Sequence, residues 1–274
     1  MRSRKPTKLV LSNLFSRSAA GKATQDPKHL RPPNILLRTV NYLLDDILSR
    51  QDTPFIVIYE FIMDRLRSVR QDMVIQNVSS SYFISILQPI IRFHAYAAYR
   101  LCEEEINRFD PHINNTHLQE CLKRLLYTYN HCDRITQVAE DNVDEFLLEN
   151  RPGFEALYLI LNLGSPIAIT RTLNLPPKME TLPTLLLMIA SLHLPAIRRK
   201  ALETLSVAYN SKNLSFPVQL LKELLLYDTE EQLISDCRYY GLEVQNNGVY
   251  FSKSLFDLKK STTPQKHCCF VEKN

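Results

Sequence analysis

Glycine and tryptophan are scarce in this chain of 274 residues, which has five Gly and no Trp. Glycine supplies the positive φ angles of tight turns and the bare backbone of phosphate-binding loops, so a chain short of it has few of either. The longest apolar stretch, 182–194, covers 13 residues and is interrupted by Pro, Thr, Ser and His. It is too short to cross a bilayer as a helix. The sequence therefore predicts a mainly helical protein without a membrane span.

Motifs of the common catalytic and cofactor sites are also absent, since the chain has no GxSxG, HExxH or GxGxxG. Residues 19–23 resemble the end of a phosphate-binding loop, but Ser16 replaces its first glycine and Ala23 replaces its magnesium-binding hydroxyl. His117 and Cys121 have the i, i+4 spacing of two zinc ligands, yet the CxxC pairs typical of structural zinc do not occur. We therefore expect no catalytic residue, metal, cofactor or small-molecule substrate.

Positive charge is concentrated at the two ends of the sequence. Residues 1–31 hold eight Lys or Arg against one Asp, and residues 252–274 hold five basic residues against two acidic ones. The intervening residues have 20 basic and 26 acidic side chains. Basic ends attract nucleic acid, anionic lipid or an acidic protein through a salt-screened interaction that does not depend on sequence. A solvated tail is the alternative interpretation.

Helical signals follow one another along most of the chain. Pro32 and Pro33 favour a helix start, and Pro54 precedes a second helix with apolar residues spaced three or four apart from Phe55 to Met73. This spacing predicts one buried face with Arg65, Arg67 and Arg70 off it. Further helices are predicted at about 79–109, 114–131, 142–162, 165–174, 182–192 and 195–210. The pattern indicates an irregular stack of helical hairpins.

The last segment has a different pattern. A helix is predicted from Pro217 to Tyr227, and a second follows the capping box Thr229–Gln232 and ends at Gly241. Alternating residues about Asn247–Gly248 then predict a hairpin. An order of helices followed by a hairpin is that of a winged helix, a fold that binds either nucleic acid or protein.

Basic residues of this segment are candidates for nucleic-acid contact. The acidic start of its second helix, at Asp228, Glu230 and Glu231, disfavours insertion of that helix into a groove. The candidate contacts are instead along the edge of the wing, together with two residues of the N-terminal arm: Lys222, Arg238, Lys253, Lys259, Lys260, Arg17 and Lys22.

Four motifs in order closely resemble those of the SAC/GANP family, and of its short members in particular. They are FSRSAAGK at 15–22, LRPP at 30–33, YEFIMDRLRSVRQD at 59–72 with Gln76, and RFH at 92–94. The residues that match the family motifs are Arg17, Ala19, Ala20, Gly21, Arg31, Pro32, Pro33, Asp64, Arg65, Arg67, Arg70, Asp72, Gln76, Arg92, Phe93 and His94.

The resemblance implies a fold of the PCI type, which is a mainly α stack of helical hairpins ending in a winged helix. It divides the chain into a basic extended arm at 1–31 and a helical-repeat SAC/GANP domain at 32–212. A winged-helix subdomain at 213–256 and a flexible tail at 257–274 follow. The cysteine-containing segment that usually precedes the SAAGK arm is absent from the sequence, so we expect that the chain begins late or is part of a longer gene product.

The resemblance also implies a non-enzymatic scaffold. Long relatives nucleate a transcription-export complex that carries mRNA to the nuclear pore, together with a PCI-type subunit and a small acidic DSS-type protein. We therefore expect these partners, weak contact with RNA or single-stranded nucleic acid, and a nuclear, pore-associated location. Short relatives are associated with centrosome duplication and mitotic spindle progression, which gives the alternative function and an alternative location in the cytoplasm, centrosome and spindle.

Two further hypotheses come from other classes. A long relative has been linked with acetyl transfer, but such an enzyme needs a glycine-rich pyrophosphate cradle that this sequence lacks. In the other hypothesis, the basic arm alone binds nucleic acid and the helical body only positions it. The family's long C-terminal helix and phenylalanine-glycine region are absent from the sequence, so centrin binding and direct pore anchoring are not implied.

Overall fold

The computed structural model describes residues 30–136, 145–172, 183–211, 214–268 and 271, and these are mainly helical, as predicted. Residues 17–22, which include five of the motif and candidate contact positions, lie outside the described residues. The helices are α1 (Pro33–Tyr42), continued by a π-helical turn (Leu43–Ile47), α2 (Phe55–Gln76), α3 (Ser80–Arg100), α4 (Pro111–Thr136), α5 (Glu145–Leu148), α6 (Arg151–Leu161), α7 (Pro166–Thr172), α8 (Pro183–Ala208), α9 (Val218–Leu224) and α10 (Glu230–Tyr239). The strands are β1 (Ser215–Pro217), β2 (Glu243–Gln245) and β3 (Gly248–Tyr250).

Several helix boundaries differ from the sequence prediction, and the helix predicted at about 142–162 is divided into α5 and α6. α3 ends at Arg100 rather than near residue 109, because the next residues form turns that lead to Asp110, whose carboxylate accepts the backbone N–H of His112 (2.8 Å) and caps α4. α8 continues through Pro195, where a break was predicted. Pro195 has no N–H to donate, but this loss did not end the helix.

The described chain divides into two compact units, and α3 and α4 contribute residues to both. In the first unit, which comprises residues 30–90, 128–136 and 145–147, the predicted face of α2 is buried from Ile58 through Ile62 to Met73. In the same unit, the side-chain amide of Gln88 on α3 donates to the hydroxyl of Tyr129 on α4 at 3.0 Å. The period of three and four residues therefore identified the packing face correctly.

The second unit contains what we call the terminal module, residues 215–256. Its three strands form an antiparallel sheet in the order β1-β3-β2, in which Phe216 and Val244 both pair with Val249. α9 and α10 pack on this sheet around a buried core that includes Tyr240 and Phe251. The Thr229 hydroxyl accepts the backbone N–H of Gln232 at 3.3 Å, so the predicted cap is confirmed.

The hairpin between β2 and β3 turns one residue earlier than predicted. Asn246 and Asn247 occupy the two-residue loop with φ of 49° and 59°, which are the positive values of a type I′ turn. Gly248 instead lies in β3, where a Cβ atom would stand 2.7 Å from Cβ of Ser215 on β1. Its lack of a side chain therefore serves the close approach of two strands.

Candidate functional site

In the first unit, the structure brings two of the sequence motifs together. The Arg31 guanidinium donates from Nε to Oδ2 of Asp72 at 2.7 Å and from Nη2 to Oγ of Ser68 at 2.8 Å. Nε2 of Gln76 donates to the Arg31 carbonyl at 2.8 Å. Because Ser68, Asp72 and Gln76 are spaced four apart, they share one face of α2. This face fixes the Arg31 position beside the start of α1, which Pro32 and Pro33 set.

The other charged motif residues of α2 are distributed around the helix. The guanidinium of Arg65 pairs with the carboxylate of its neighbour Asp64 and lies 5.9 Å from the centre of the Phe61 ring. Arg67 is exposed, and Arg70 is partly buried with its Nε enclosed. The contacts described for Arg65, Arg67 and Arg70 therefore do not bring the three guanidinium groups together at one point.

In the second unit, the RFH motif is largely buried. Arg92 donates from Nη2 to Oδ1 of Asn150 at 3.1 Å and lies over the Phe154 ring, while Phe93 and His94 are almost inaccessible to solvent. The Asn114 amide donates to the His94 carbonyl at 2.9 Å, and its oxygen lies 2.8 Å from His94 Nδ1. An oxygen accepts only, so the proton of this bond is on Nδ1 of His94. These contacts give the motif a packing role.

The His117 imidazole, considered above as a zinc ligand with Cys121, stacks on the His94 ring with 6.0 Å between ring centres. Its Nδ1 lies 3.7 Å from a carboxylate oxygen of Glu120. Within the described ranges, no three His, Cys, Asp or Glu side chains are grouped as a metal site requires.

The basic candidates of the terminal module lie on its surface and on the segment that follows it. Arg238, Lys253, Lys259 and Lys260 are exposed, and Lys222 is half-buried. The Lys260 ammonium lies 4.8 Å from the centre of the Tyr239 ring, which places it beside the C-terminal end of α10. These positions are compatible with contacts to phosphate, and the nucleic-acid role of each residue stays a prediction.

Arg199 orients part of this basic surface, although sequence analysis did not single it out. It donates from Nη2 to the Leu258 carbonyl at 3.0 Å and from Nε to the Lys260 carbonyl at 3.1 Å. One guanidinium therefore fixes the backbone that carries Lys259 and Lys260 to α8. No local pattern indicates this contact, because Arg199 is about 60 residues away from both carbonyls along the chain.

The N-terminal end of α10, opposite the end beside Lys260, carries negative charge. Hydrogen bonds from the backbone of its own turn, and then from the Thr229 hydroxyl, hold the pKa of the Glu231 carboxyl below its ordinary value. Glu230 stands beside it in the same first turn. The start of α10 is therefore anionic at neutral pH, which opposes the approach of a phosphate backbone there.

An apolar face is exposed on α9. Leu220 and Leu224 are one turn apart, and 55% and 63% of their surfaces are accessible to solvent. Leu226, just beyond the helix, is 56% exposed and has a φ of 56°, a strained value for a residue with a branched side chain. Its carbonyl accepts a hydrogen bond from Arg198. Exposed apolar side chains that are neighbours on one helix face form a candidate protein-binding surface, whereas single exposed leucines do not.

Comparisons with known proteins agree with the motif analysis. A model of the SAC3/GANP family matches residues 2–185 and 178–246. The chain is 26% identical to SAC3 family protein 1 of Schizosaccharomyces pombe over 88% of this chain and 27% of that protein. It is 26% identical to Protein xmas of Drosophila melanogaster over 85% of this chain and 13% of that protein. A shorter match, 30% identical, covers 36% of this chain and 6% of SAC3 family protein B of Arabidopsis thaliana.

The chain thus spans about a quarter or less of the length of these relatives. None of the helices in the described parts of the chain is long and apolar enough to cross a membrane. The matched region includes the terminal module up to residue 246, and therefore β1, α9, α10 and β2.

Proposed function

Because this chain belongs to the SAC3/GANP family, we propose that it is a non-enzymatic scaffold protein that binds a PCI-type subunit and acts in nuclear mRNA export. Two relatives are themselves named as SAC3 family proteins. The export role, the PCI-type partner and the nuclear location come from the resemblance described above. They are proposals for this chain.

The observation that carries the proposal is the architecture of the terminal module. One strand, two helices and a two-stranded hairpin follow in the order β1, α9, α10, β2 and β3, with β3 at the centre of the sheet. This connectivity matches that of a winged helix, which supports a PCI-type fold for the end of the chain. PCI-type subunits pair through their adjacent winged helices, so the terminal module is where we place the partner.

The exposed leucines of α9 give the partner a surface to bury. More than half of the surface of Leu220, of Leu224 and of Leu226 is exposed to solvent, and docking of a partner would bury it. A leucine side chain contributes about 2 kcal/mol when fully buried. Because each is already partly buried, docking would add about 1 kcal/mol for each leucine, which contributes to an interface but does not by itself account for its affinity.

We propose that RNA binding is weak and does not depend on sequence. The exposed lysines at 253, 259 and 260 supply charge without a groove-reading helix, since the first turn of α10 is acidic. Such binding arises mainly from release of counterions and falls steeply with salt. The small acidic DSS-type protein is the second partner in this proposal.

The test is reconstitution of the full chain with a PCI-type subunit and a DSS-type protein. We expect a stable complex by size-exclusion chromatography, and a loss of affinity of at least tenfold in the variant Leu220→Asp with Leu224→Asp. The matched control is Leu255→Asp with Leu258→Asp, which changes two other exposed leucines of similar accessibility. Equal loss in both variants would place the interface elsewhere.

Purification of the tagged chain from interphase and mitotic cells tests the biological setting. Recovery of the PCI-type and DSS-type proteins supports the export scaffold. Recovery of centrosomal or tubulin-associated proteins without them would contradict the export assignment and favour the mitotic function.

A further inference from the structure

The segment after the terminal module, residues 257–268, has no regular secondary structure but is attached to the second unit at several points. We call it the C-terminal segment, and it is part of the stretch for which sequence analysis predicted a flexible tail. The backbone N–H of Asp257 donates to the Tyr240 carbonyl at 2.9 Å, and Arg199 binds two of the carbonyls that follow. Further on, the N–H of His267 donates to Glu103 at 2.7 Å and Cys268 is buried against Tyr99.

The middle attachment of the C-terminal segment is at Thr263. Its hydroxyl donates to Oδ2 of Asp236 at 3.3 Å, and its backbone N–H donates to the Tyr240 hydroxyl at 3.2 Å. The same Asp236 oxygen accepts the Tyr227 hydroxyl at 2.7 Å. Asp236 on α10 is therefore the acceptor shared by the helix pair and the C-terminal segment.

Thr263 lies at the edge of a cleft of about 290 Å³, whose lining includes Tyr227, Asp236, Thr263 and Lys266. Arg198 also lines it, but two nitrogens of its guanidinium donate to the carbonyls of Leu225 and Leu226, and its Cζ lies 3.9 Å from the centre of the Tyr227 ring. The group that accepts the Thr263 hydroxyl is therefore a carboxylate, while the arginine is largely engaged by other partners.

The sequence around Thr263 has the pattern of a kinase substrate. Residues 263–266 read Thr-Pro-Gln-Lys, and proline-directed protein kinases select a hydroxyl residue followed by proline, with a basic residue at the third position after it. Pro264 and Lys266 are exposed. Thr53 and Ser165 also precede a proline, but an apolar residue stands at the third position after each of them.

We propose that Thr263 is a phosphorylation site for a proline-directed kinase and that the phosphate detaches the C-terminal segment from α10. In this reaction the Thr263 Oγ1 forms a bond to the γ-phosphorus of ATP, and the bond from that phosphorus to the β,γ-bridging oxygen breaks. The hydroxyl proton passes to the catalytic base of the kinase. The products are phosphothreonine and ADP.

Detachment follows from the charge of the group that Thr263 contacts. Phosphothreonine carries a charge of about −1.5 to −2 at neutral pH, and its dianion, which predominates there, has no proton to donate to a carboxylate. The hydrogen bond to Asp236 is therefore lost, and two anions are left at contact distance. Burial, and then the Asp236 charge, raise the pKa of Tyr227 far above its usual range, so this hydroxyl keeps its proton and continues to occupy the same carboxylate.

Phosphorylation therefore exposes surfaces that the C-terminal segment covers. Removal of residues 263–268 from α10 and α8 uncovers Tyr240 and the cleft beside Asp236. It also moves Lys266 out of the cleft lining. This inference does not require the partner proposed above, since it concerns contacts within one chain.

The first part of the test uses the full chain, a purified cyclin-dependent kinase and Mg-ATP, with phosphopeptide mapping by mass spectrometry. We expect one phosphate at Thr263 and none in the variant Thr263→Val. Thr53 and Ser165 are internal controls, because they have the proline without the basic residue. Absence of phosphate at Thr263, or equal labelling at the control sites, would overturn the site assignment.

The second part measures hydrogen exchange and the rate of tryptic cleavage at Lys266 in both forms. A hydrogen bond to a charged group is worth about a tenfold change in an opening equilibrium, so we expect at least tenfold faster cleavage after phosphorylation. Asp236→Asn removes the repelling charge and should reduce the increase severalfold. Unchanged protection of the C-terminal segment in the phosphorylated chain, or an equal increase in the Asn variant, would overturn the detachment mechanism.

Discussion

Replacement of Gly241 by alanine tests the packing between the end of α10 and the backbone of Leu255 near the end of the terminal module. Gly241 has a φ of 85°, and a Cβ atom at this position would stand 2.4 Å from the Leu255 carbonyl oxygen. A carbon and an oxygen in contact are normally about 3.3 Å apart, so the new methyl group would overlap the Leu255 backbone by about 0.9 Å. Neither group is the end of a flexible side chain, and the backbone itself must move.

The expected loss of stability has two sources. A left-handed conformation costs an alanine about 1–2 kcal/mol. Forcing an additional methyl group into a packed site costs about 1–3 kcal/mol more. We therefore expect Gly241→Ala to lower the free energy of unfolding by about 2–5 kcal/mol.

Gly164 provides the matched control, because its φ of 83° is nearly the same and nothing lies within 4 Å of the Cβ position. Gly164→Ala should show the conformational cost alone, about 1–2 kcal/mol. Urea unfolding followed by far-ultraviolet circular dichroism gives both values, and hydrogen exchange shows whether the loss is local to residues 240–257. If both variants lost the same stability, the contact with Leu255 would have no energetic role and the reasoning would be refuted.

Two further predictions concern polar contacts of α2 and α10. Asp72→Ala should lower the free energy of unfolding by about 2–3 kcal/mol, because it leaves Ser68 as the side-chain acceptor for the part-buried Arg31 guanidinium. In thermal unfolding, a double-mutant cycle with Arg31→Ala should show a coupling energy above about 0.5 kcal/mol. Glu231 has a lowered pKa in the folded protein, so its contribution to stability is present at neutral pH and is lost as the pH falls from about 4.5 through the lowered value. Thr229→Ala should reduce this acid-dependent loss in a series of urea titrations between pH 6 and pH 3, whereas an unchanged pH profile would contradict the hydrogen bond from the Thr229 hydroxyl to the Glu231 carboxylate.

Local patterns predicted what local interactions determine. The buried face of α2 was predicted from apolar spacing, because a helix that packs on one side needs an apolar side chain at every third or fourth position. The cap at Thr229 was predicted because its donor, the N–H of Gln232, is only three residues away. Both features depend on residues within one or two turns of helix.

Contacts between distant residues were beyond the sequence patterns. The motif segments of Arg31 and Asp72 were recognised, but their ion pair joins residues 41 apart and no periodicity reports it. β1 was missed because it has three residues and ends in Pro217, and a strand this short is stabilised by its pairing with β3. The turn was placed one residue late because Asn247–Gly248 is a strong hairpin signal, while the close approach of Ser215 to Gly248 is a tertiary constraint.

The distribution of charge on α10 restricts how the terminal module meets nucleic acid. The N-terminal turn of a recognition helix would approach a groove first, and here it carries Glu230 and Glu231. Arg238 lies in the last turn, where a cation is favoured by the helix dipole, and Lys260 lies beside Tyr239. We therefore expect phosphate contacts at the C-terminal end of α10. Arg199 holds the Lys260 carbonyl, so Lys260 stays beside Tyr239 when residues 263–268 detach, and phosphorylation of Thr263 weakens RNA binding only through the negative charge that it adds.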